Sequence, residues 1–302
     1  MPPQHPDETI VLDALRANGR RPGRLTPLAG GEWSRAYAFS DDGRELVVRA
    51  GAYVEDFEKD RFAMRFASPD LPVPRVLEIG GLPGGRHYAV SERVPPGEWL
   101  EDLEGRALDD ALPAIGRLLA ALREADTSGT TGYGSWDPAG NGPNGSWGEA
   151  LLEVGNDPGH RLPGWRTKLE SSPTGAGRYD DALAALEALA AEAPDDRCPI
   201  HADLLHRNVV VDGPRLTGVF DWGCAMYGDG AYDLAWLHFW SPWHPGWDAI
   251  DVLELGRDIP DLERRIVTCG LHIGLANLAY QAFTERWDDL SATARRTLTL
   301  LG

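Results

Sequence analysis

Apolar positions in the first ninety residues come in short runs separated by turn residues, the pattern of a small sheet. Residues 25–28, 36–39 and 45–49 read as strands, and Asp41-Asp42-Gly43 between the last two is a hairpin turn signal. Over residues 54–66, Phe57, Arg61, Met64 and Arg65 recur at helical spacing, which predicts a helix with one apolar face, ended by Pro72 and Pro74. Residues 76–79 and 87–92 then read as strands around the Gly/Pro turn 80–85 and complete a five-stranded lobe.

Val94-Pro95-Pro96-Gly97 interrupts both flanking patterns and marks a hinge. Beyond it, Leu112, Ile115, Leu118, Leu119 and Leu122 repeat at i, i+3 and i+4, so residues 109–125 should form a core-facing helix. Residues 127–177 are rich in Gly, Pro and Trp and poor in periodicity; a segment of that kind is usually functional or mobile. A helix over 179–193, a buried strand pair at 209–211 and 216–220, and a mostly helical remainder from Tyr232 complete the pattern, without an internal repeat. The expectation is an α+β chain in two lobes: a small antiparallel sheet lobe, residues 1–94, and a larger, mainly helical lobe, residues 95–302.

Within the larger lobe, His201-Ala202-Asp203-Leu204-Leu205-His206-Arg207-Asn208 is followed by Phe220-Asp221-Trp222-Gly223. Phosphoryl transfer asks for oxygen ligands to magnesium and for a group that orients the attacking hydroxyl. Asp203, Asn208 and Asp221 match the order of the kinase catalytic loop and metal-binding aspartate, with Trp222 in place of the usual Phe. The strands at 209–211 and 216–220 would bring Asn208 and Asp221 to neighbouring hairpin ends, where one metal reaches both. Taken singly, Asp203 could cap a turn and Asn208 could satisfy backbone groups. Upstream, Gly30, Gly31 and Ser34 sit in a turn suited to a phosphate, or to a plain hairpin. Arg49 ends a strand where kinases place a phosphate-contacting lysine; its expected partner is Asp60, with Glu58 second, and the bland reading is a solvent-facing Arg.

Composition narrows the field. The 302 residues, 42% hydrophobic, can bury a sizeable core. A formal net charge of −18 without a Lys/Arg cluster argues against nucleic acid and is compatible with a cationic small molecule. No basic start with an apolar stretch opens the chain, and no uninterrupted apolar run approaches membrane-spanning length, so a cytosolic protein without a membrane role is expected. Cys198, Cys224 and Cys269 lack metal or disulfide spacing and read as three packed thiols.

These residues resemble the aminoglycoside phosphotransferase family, and within it the hygromycin B phosphotransferases. The likeness rests on Gly30-Gly31-Glu32-Trp33-Ser34-Arg35-Ala36-Tyr37, on Lys59-Asp60-Arg61-Phe62 through Leu71-Pro72-Val73-Pro74, on His201-Ala202-Asp203 with Asn208-Val209, and on Asp221-Trp222 through Gly228-Asp229. It implies a bilobal protein-kinase-like fold with ATP in the cleft, GTP being the alternative donor. Adenine would bond the hinge backbone near Glu92 to Val94, Ser34, Arg49 and Asp60 would serve the phosphates, and Mg2+ would sit on Asn208 and Asp221. It further implies that Asp203 engages a hydroxyl of an antibiotic walled by Trp240 and Trp243, which on the bland reading simply pack in a helical core. Asp229 and Asp233 read as caps of the helix starting near Ala231.

Four other readings compete. A metal hydrolase built on His201, Asp203 and His206 leaves Asn208 and Asp221 idle. A protein kinase lacks room for an activation segment between Asp221 and Tyr232. A non-catalytic nucleotide-binding module should have lost an acidic ligand. A metabolic kinase, or a kinase of a capuramycin-type nucleoside antibiotic, shares the same chemistry. A monomer is the default.

Overall fold

The computed structural model describes residues 6–28, 31, 33–156, 161–247 and 250–301. Gly30 and Glu32 of the glycine-bearing turn lie outside the described residues. Helix α1 (Glu8–Ala17) opens the fold; the sequence reading did not single it out. Asp7 caps it by accepting from the Thr9 amide, and Val11 and Leu15, one turn apart, are its buried side.

Five antiparallel strands follow, β1 (Thr26–Pro27), β2 (Ser34–Asp41), β3 (Arg44–Gly51), β4 (Val76–Leu82) and β5 (Arg86–Glu92), in the order β1-β2-β3-β5-β4. Asp42 and Gly43 both adopt positive φ (48° and 78°), the tight hairpin that the Asp-Gly pair predicts. Alternation on β2, β3 and β5 places Tyr37, Phe39, Leu46, Val48, Tyr88 and Val90 on a core shared with Val11 and Leu15. Register sets Arg49 between Ala36 and Ala89 in the middle of the sheet.

Helix α2 (Val54–Ala63) forms as expected and runs on as a 3-10 turn, Met64–Phe66. It ends before the prolines reach it, because Ala67 is already extended. The face it buries differs from the apolar stripe read in the sequence: Asp56, Lys59, Asp60 and Ala63 turn inward beside Phe57. Three charged residues on a buried face need partners, and the site below supplies them.

The chain leaves the sheet through residues 94–97. A Cβ on Gly97 would lie 2.3 Å from the Val211 carbonyl oxygen, so only glycine lets the backbone pass there. Strand β6 (Glu98–Trp99) then leads to α3 (Gly105–Arg123), whose Leu108, Ile115, Leu118, Leu119 and Leu122 are buried. The segment 127–177 is more ordered than its composition predicts. It contains strand β7 (Gly134–Ser135), helix α4 (Trp147–Leu152) with a complete Ser146/Glu149 capping box, and helix α5 (Trp165–Ser171). Buried Trp147 and Trp165 anchor these elements, so their tryptophans are core.

Helix α6 (Gly177–Ala190) and strands β8 (Cys198–Ile200), β9 (Val209–Asp212), β10 (Arg215–Val219) and β11 (Met226–Gly228) come next, forming two small sheets, β10-β9-β6 and β7-β11-β8. Helices α7 (Tyr232–Trp240), α8 (Val252–Leu255), α9 (Leu262–Thr284) and α10 (Trp287–Leu298) finish the chain. By length and composition α9 could cross a bilayer, a stretch the sequence reading passed over; here it is the core helix, packed by α5, α6, α7 and α10. Cys198 and Cys269 are buried free thiols, whereas Cys224 is exposed, against the expectation of three packed ones.

Candidate active site

Asp233 fixes the start of the loop that follows β8. Its carboxylate accepts the amides of His201 and Ala202, both at 2.9 Å, so it tethers this loop and does not cap its own helix as predicted. Asp229 does hold the helix entry, accepting the Ala231 amide at 2.7 Å. His201 is fully buried against Trp222 (ring centroids 4.7 Å), with Nε2 2.7 Å from the Phe220 carbonyl oxygen. Burial, only partly offset by that carbonyl, pulls its pKa down to about 4, so the ring is neutral.

The loop is strained. Of the seven non-glycine residues with positive φ among the described residues, Ala202, His206, Arg207 and Asp221 lie in this region. Each such conformation costs about 1–2 kcal/mol, and clusters of them mark places where the surroundings impose a geometry. Here the geometry imposed is that of Asp203. His206 Nδ1 lies 2.7 Å from its Oδ1, and Asn208 Nδ2 donates to its Oδ2 at 2.9 Å and to its main-chain carbonyl at 2.7 Å. Burial pushes the Asp203 carboxyl up to about 6, with His206 acting against the rise.

The β9–β10 hairpin does what its spacing predicts. The Phe220 amide donates to the Asn208 carbonyl at 2.8 Å, which seats Asn208 and Asp221 at adjacent hairpin ends. Arg49 reaches in from β3. Its Nη1 meets Asp60 Oδ2 at 2.6 Å, its Nη2 meets Asp221 Oδ1 at 3.0 Å, and Nε and Nη2 both lie 3.4 Å from Ser34 Oγ. Asp60, the first of the two expected partners, also accepts the Trp222 amide at 2.9 Å. Burial works against ionisation of Asp221, but the guanidinium outweighs it and holds that carboxyl low; for Asp60 burial prevails and the carboxyl is raised.

At the hinge, the Glu92 amide is taken by the Arg75 carbonyl and the Arg93 amide by Glu45, while the Glu92 carboxylate pairs outward with Arg44. Among the described residues the Val94 amide has no backbone acceptor. On the other side of Asp203, His206 sits edge-on to Trp240 (5.2 Å) and Trp236 (5.8 Å). Trp240 is buried, so the packing reading holds for it, whereas Trp243 is 40% exposed and stacks on Phe239 at 6.3 Å.

The donor set suits magnesium. Asp221 and Asn208 offer hard oxygens, and Asn208 spends its NH2 on Asp203, which leaves its amide oxygen as the available donor. Zinc chemistry does not fit: among the described residues no group of three His, Cys, Asp or Glu is placed to hold a metal.

Sequence reasoning missed Asp56, Lys59 and the second role of Asp60. Asp56 pairs with Arg161, and Lys59 Nζ donates to Ser135 Oγ (2.7 Å) and to the carbonyls of Gly223 (2.9 Å) and Ala225 (3.4 Å). The available signal was a helix carrying charge at 56, 59 and 60, the i, i+3, i+4 positions where a core-facing stripe belongs.

Known proteins resemble this chain in sequence and in fold. The chain is 36% identical over 220 residues to a hygromycin-B 4-O-kinase of Escherichia coli, a match covering 72% of this chain and 63% of the length of that relative. It superposes on the crystal structure of the aminoglycoside phosphotransferase APH(4)-Ia with a TM-score of 0.87 and 31% identity, over 97% of this chain and 98% of the other. A thermostable mutant of that enzyme, in a ternary complex with AMP-PNP and hygromycin B, matches with a TM-score of 0.85 and 30% identity over 97% of both chains. Residues 24–265, which run from the first strand through the 201–208 loop and Asp221 into α9, match one family throughout, and the chain belongs to it: the APH phosphotransferase enzyme family.

Proposed function

We propose that this chain is an ATP-dependent O-phosphotransferase that phosphorylates a hydroxyl of a hygromycin B-like aminocyclitol and so confers resistance to it. One arrangement carries the reading. Asp203 has each carboxylate oxygen oriented by a neighbour, and it lies within electrostatic reach of Asp221, which Arg49 holds. The identity to hygromycin-B 4-O-kinase and the likeness to a complex of AMP-PNP with hygromycin B support the choice of donor and acceptor.

Residues 1–94 would be the nucleotide-binding lobe and residues 95–302 the catalytic and acceptor-binding lobe. Adenine would take the free Val94 amide, with the chain around Glu92 as the hinge. Arg49, positioned by Asp60 and Ser34, would face the α- and β-phosphates. Mg2+ would be held by Asp221 and Asn208 and would supply positive charge against the phosphate oxygens. Asp203 accepts a hydrogen bond from the acceptor hydroxyl. As the hydroxyl oxygen bonds to the γ-phosphorus, the bond to the β–γ bridging oxygen breaks, its electron pair leaves with ADP, and the proton passes to Asp203. Trp240 would back the acceptor through His206, and Trp243 would offer it an open aromatic face. The enzyme would act as a cytoplasmic monomer, and GTP is the alternative donor to test beside ATP.

The test is ADP release with ATP, Mg2+ and hygromycin B, for the parent and Asp203→Asn. The parent should turn over only with acceptor, and the variant should lose about 10²- to 10⁴-fold in kcat while still binding nucleotide. Silence with hygromycin B, or a variant within tenfold of the parent, overturns the reading. The exposed, stacked plane of Trp243 favours a second reading, a flat nucleoside antibiotic as acceptor, and a capuramycin-type compound belongs in the same panel.

A further inference from the structure

Lys59 has no part in the chemistry above, yet its charge is fully engaged. The residue is 4% exposed, and its three N–H groups meet three acceptors: Ser135 Oγ and the carbonyls of Gly223 and Ala225. Lysine is scarce in this chain, with Lys59 and Lys168 the only two among 29 Lys and Arg residues. A flat guanidinium fork would not match three acceptors converging on one point, whereas a tetrahedral ammonium does. Keeping it there is costly, since burial pulls the Lys59 pKa down, and an apolar side chain of similar length would avoid that penalty.

Two of the three acceptors belong to one structural unit, and the third, Ser135, lies on β7. Gly223 lies in the short 3-10 turn Trp222–Cys224, which Asp221 precedes and Ala225 closes. On the same face of α2, Asp60 takes the Trp222 amide, and the Asp56 carboxylate lies 3.1 Å from where a Cβ on Gly223 would be. Asp221 itself has φ 55°, a conformation that only its surroundings maintain.

We propose that Lys59 is a positioning residue for Asp221: by fastening the Gly223 and Ala225 carbonyls to α2, its ammonium holds the strained Asp221 backbone so that the carboxylate meets a nucleotide-bound cation. The inference rests on Asp221 being the cation ligand of the proposed function. Removing a partner that orients a metal ligand typically costs about 10- to 100-fold in metal affinity.

The experiment is calorimetric titration of AMP-PNP into the full chain, with Mg2+ and with EDTA, for the parent and for Lys59→Met. The parent should bind AMP-PNP more tightly with Mg2+; Lys59→Met should lose about 10-fold or more of that gain while its EDTA affinity stays near the parent's. Hydrogen exchange should quicken at residues 222–225 and not along α2. A folded Lys59→Met protein that keeps the whole Mg2+ gain overturns the inference alone. A parent with no Mg2+ gain overturns the cation-site reading and the inference with it. If Lys59→Met does not fold, Ser135→Ala decides: losing one of three bonds should cost about twofold or more of the gain, and an undiminished gain overturns the inference.

Discussion

Replacing Arg49 by Met should cost more stability than most changes on this surface, and the cost should depend on pH. Arg49 and Asp60 are 18% and 13% exposed and meet at 2.6 Å, so removing the guanidinium strands a carboxylate in a poorly solvated place. Breaking a buried pair of this kind costs about 3–5 kcal/mol. Asp221 is 42% exposed and shares its charge with water, so its lost contact at 3.0 Å adds about 1 kcal/mol at most. For a chain of this size the sum corresponds to a drop in melting temperature on the order of 10 °C. The sign of the pH effect follows from Asp60. Burial already raises its carboxyl above the ordinary range, and without Arg49 it rises further. A raised folded-state pKa gives stability that is present at low pH and lost as pH climbs through it, so the deficit should be larger near pH 8 than near pH 6. Urea unfolding of parent and variant at both pH values reads the difference directly. A deficit under about 1 kcal/mol, or one that shrinks as pH rises, would refute the view that Arg49 neutralises this face of α2.

His272 is buried with Nδ1 2.9 Å from the Tyr232 hydroxyl, and burial depresses its pKa to about 4. It therefore contributes stability that is complete above the unfolded value near 6.5 and lost as pH falls toward 4; His272→Gln should flatten that acid limb by up to about 1.4 kcal/mol per pH unit in urea titrations. Gly97→Ala drives a methyl into the Val211 carbonyl and should cost about 1–3 kcal/mol in unfolding free energy. Trp243→Ala should raise the acceptor KM by about 2- to 12-fold with kcat largely kept, equivalent to an aromatic contact of about 0.5–1.5 kcal/mol.

The sheet lobe was legible because its strands alternate and its turns carry Asp-Gly and Gly/Pro, signals that depend on neighbours in sequence. The proximity of Asp203, Asn208 and Asp221 was legible for the same reason: one loop and one hairpin bring them together, although the groups that hold their geometry, Asp233 and Arg49, come from elsewhere in the chain. Asp233 was misread because its acceptor role lies 31 and 32 residues away, at Ala202 and His201, beyond any local rule. Lys59 was noticed only as part of a motif, and its role was illegible for a related reason, its partners standing at 135, 223 and 225. Segment 127–177 looked irregular because two helices of seven residues or fewer carry no usable period, and buried tryptophans supply their stability instead. α9 escaped notice as one apolar helix because Arg264 and Arg265 open it and small residues thin its stripe.

An arginine at position 49 also decides which reagents can mark this cleft. Acyl-phosphate nucleotide analogues label an enzyme by handing their acyl group to an uncharged amine beside the phosphates. Arg49 keeps its proton at any working pH and has no amine to give, and the ammonium of Lys59 is turned into the protein with every hydrogen engaged. Such probes should pass over this protein in a mixture where lysine-bearing kinases are tagged, whereas flat, two-toothed oxyanions suit the guanidinium and offer a starting point for inhibitors selective in the opposite direction.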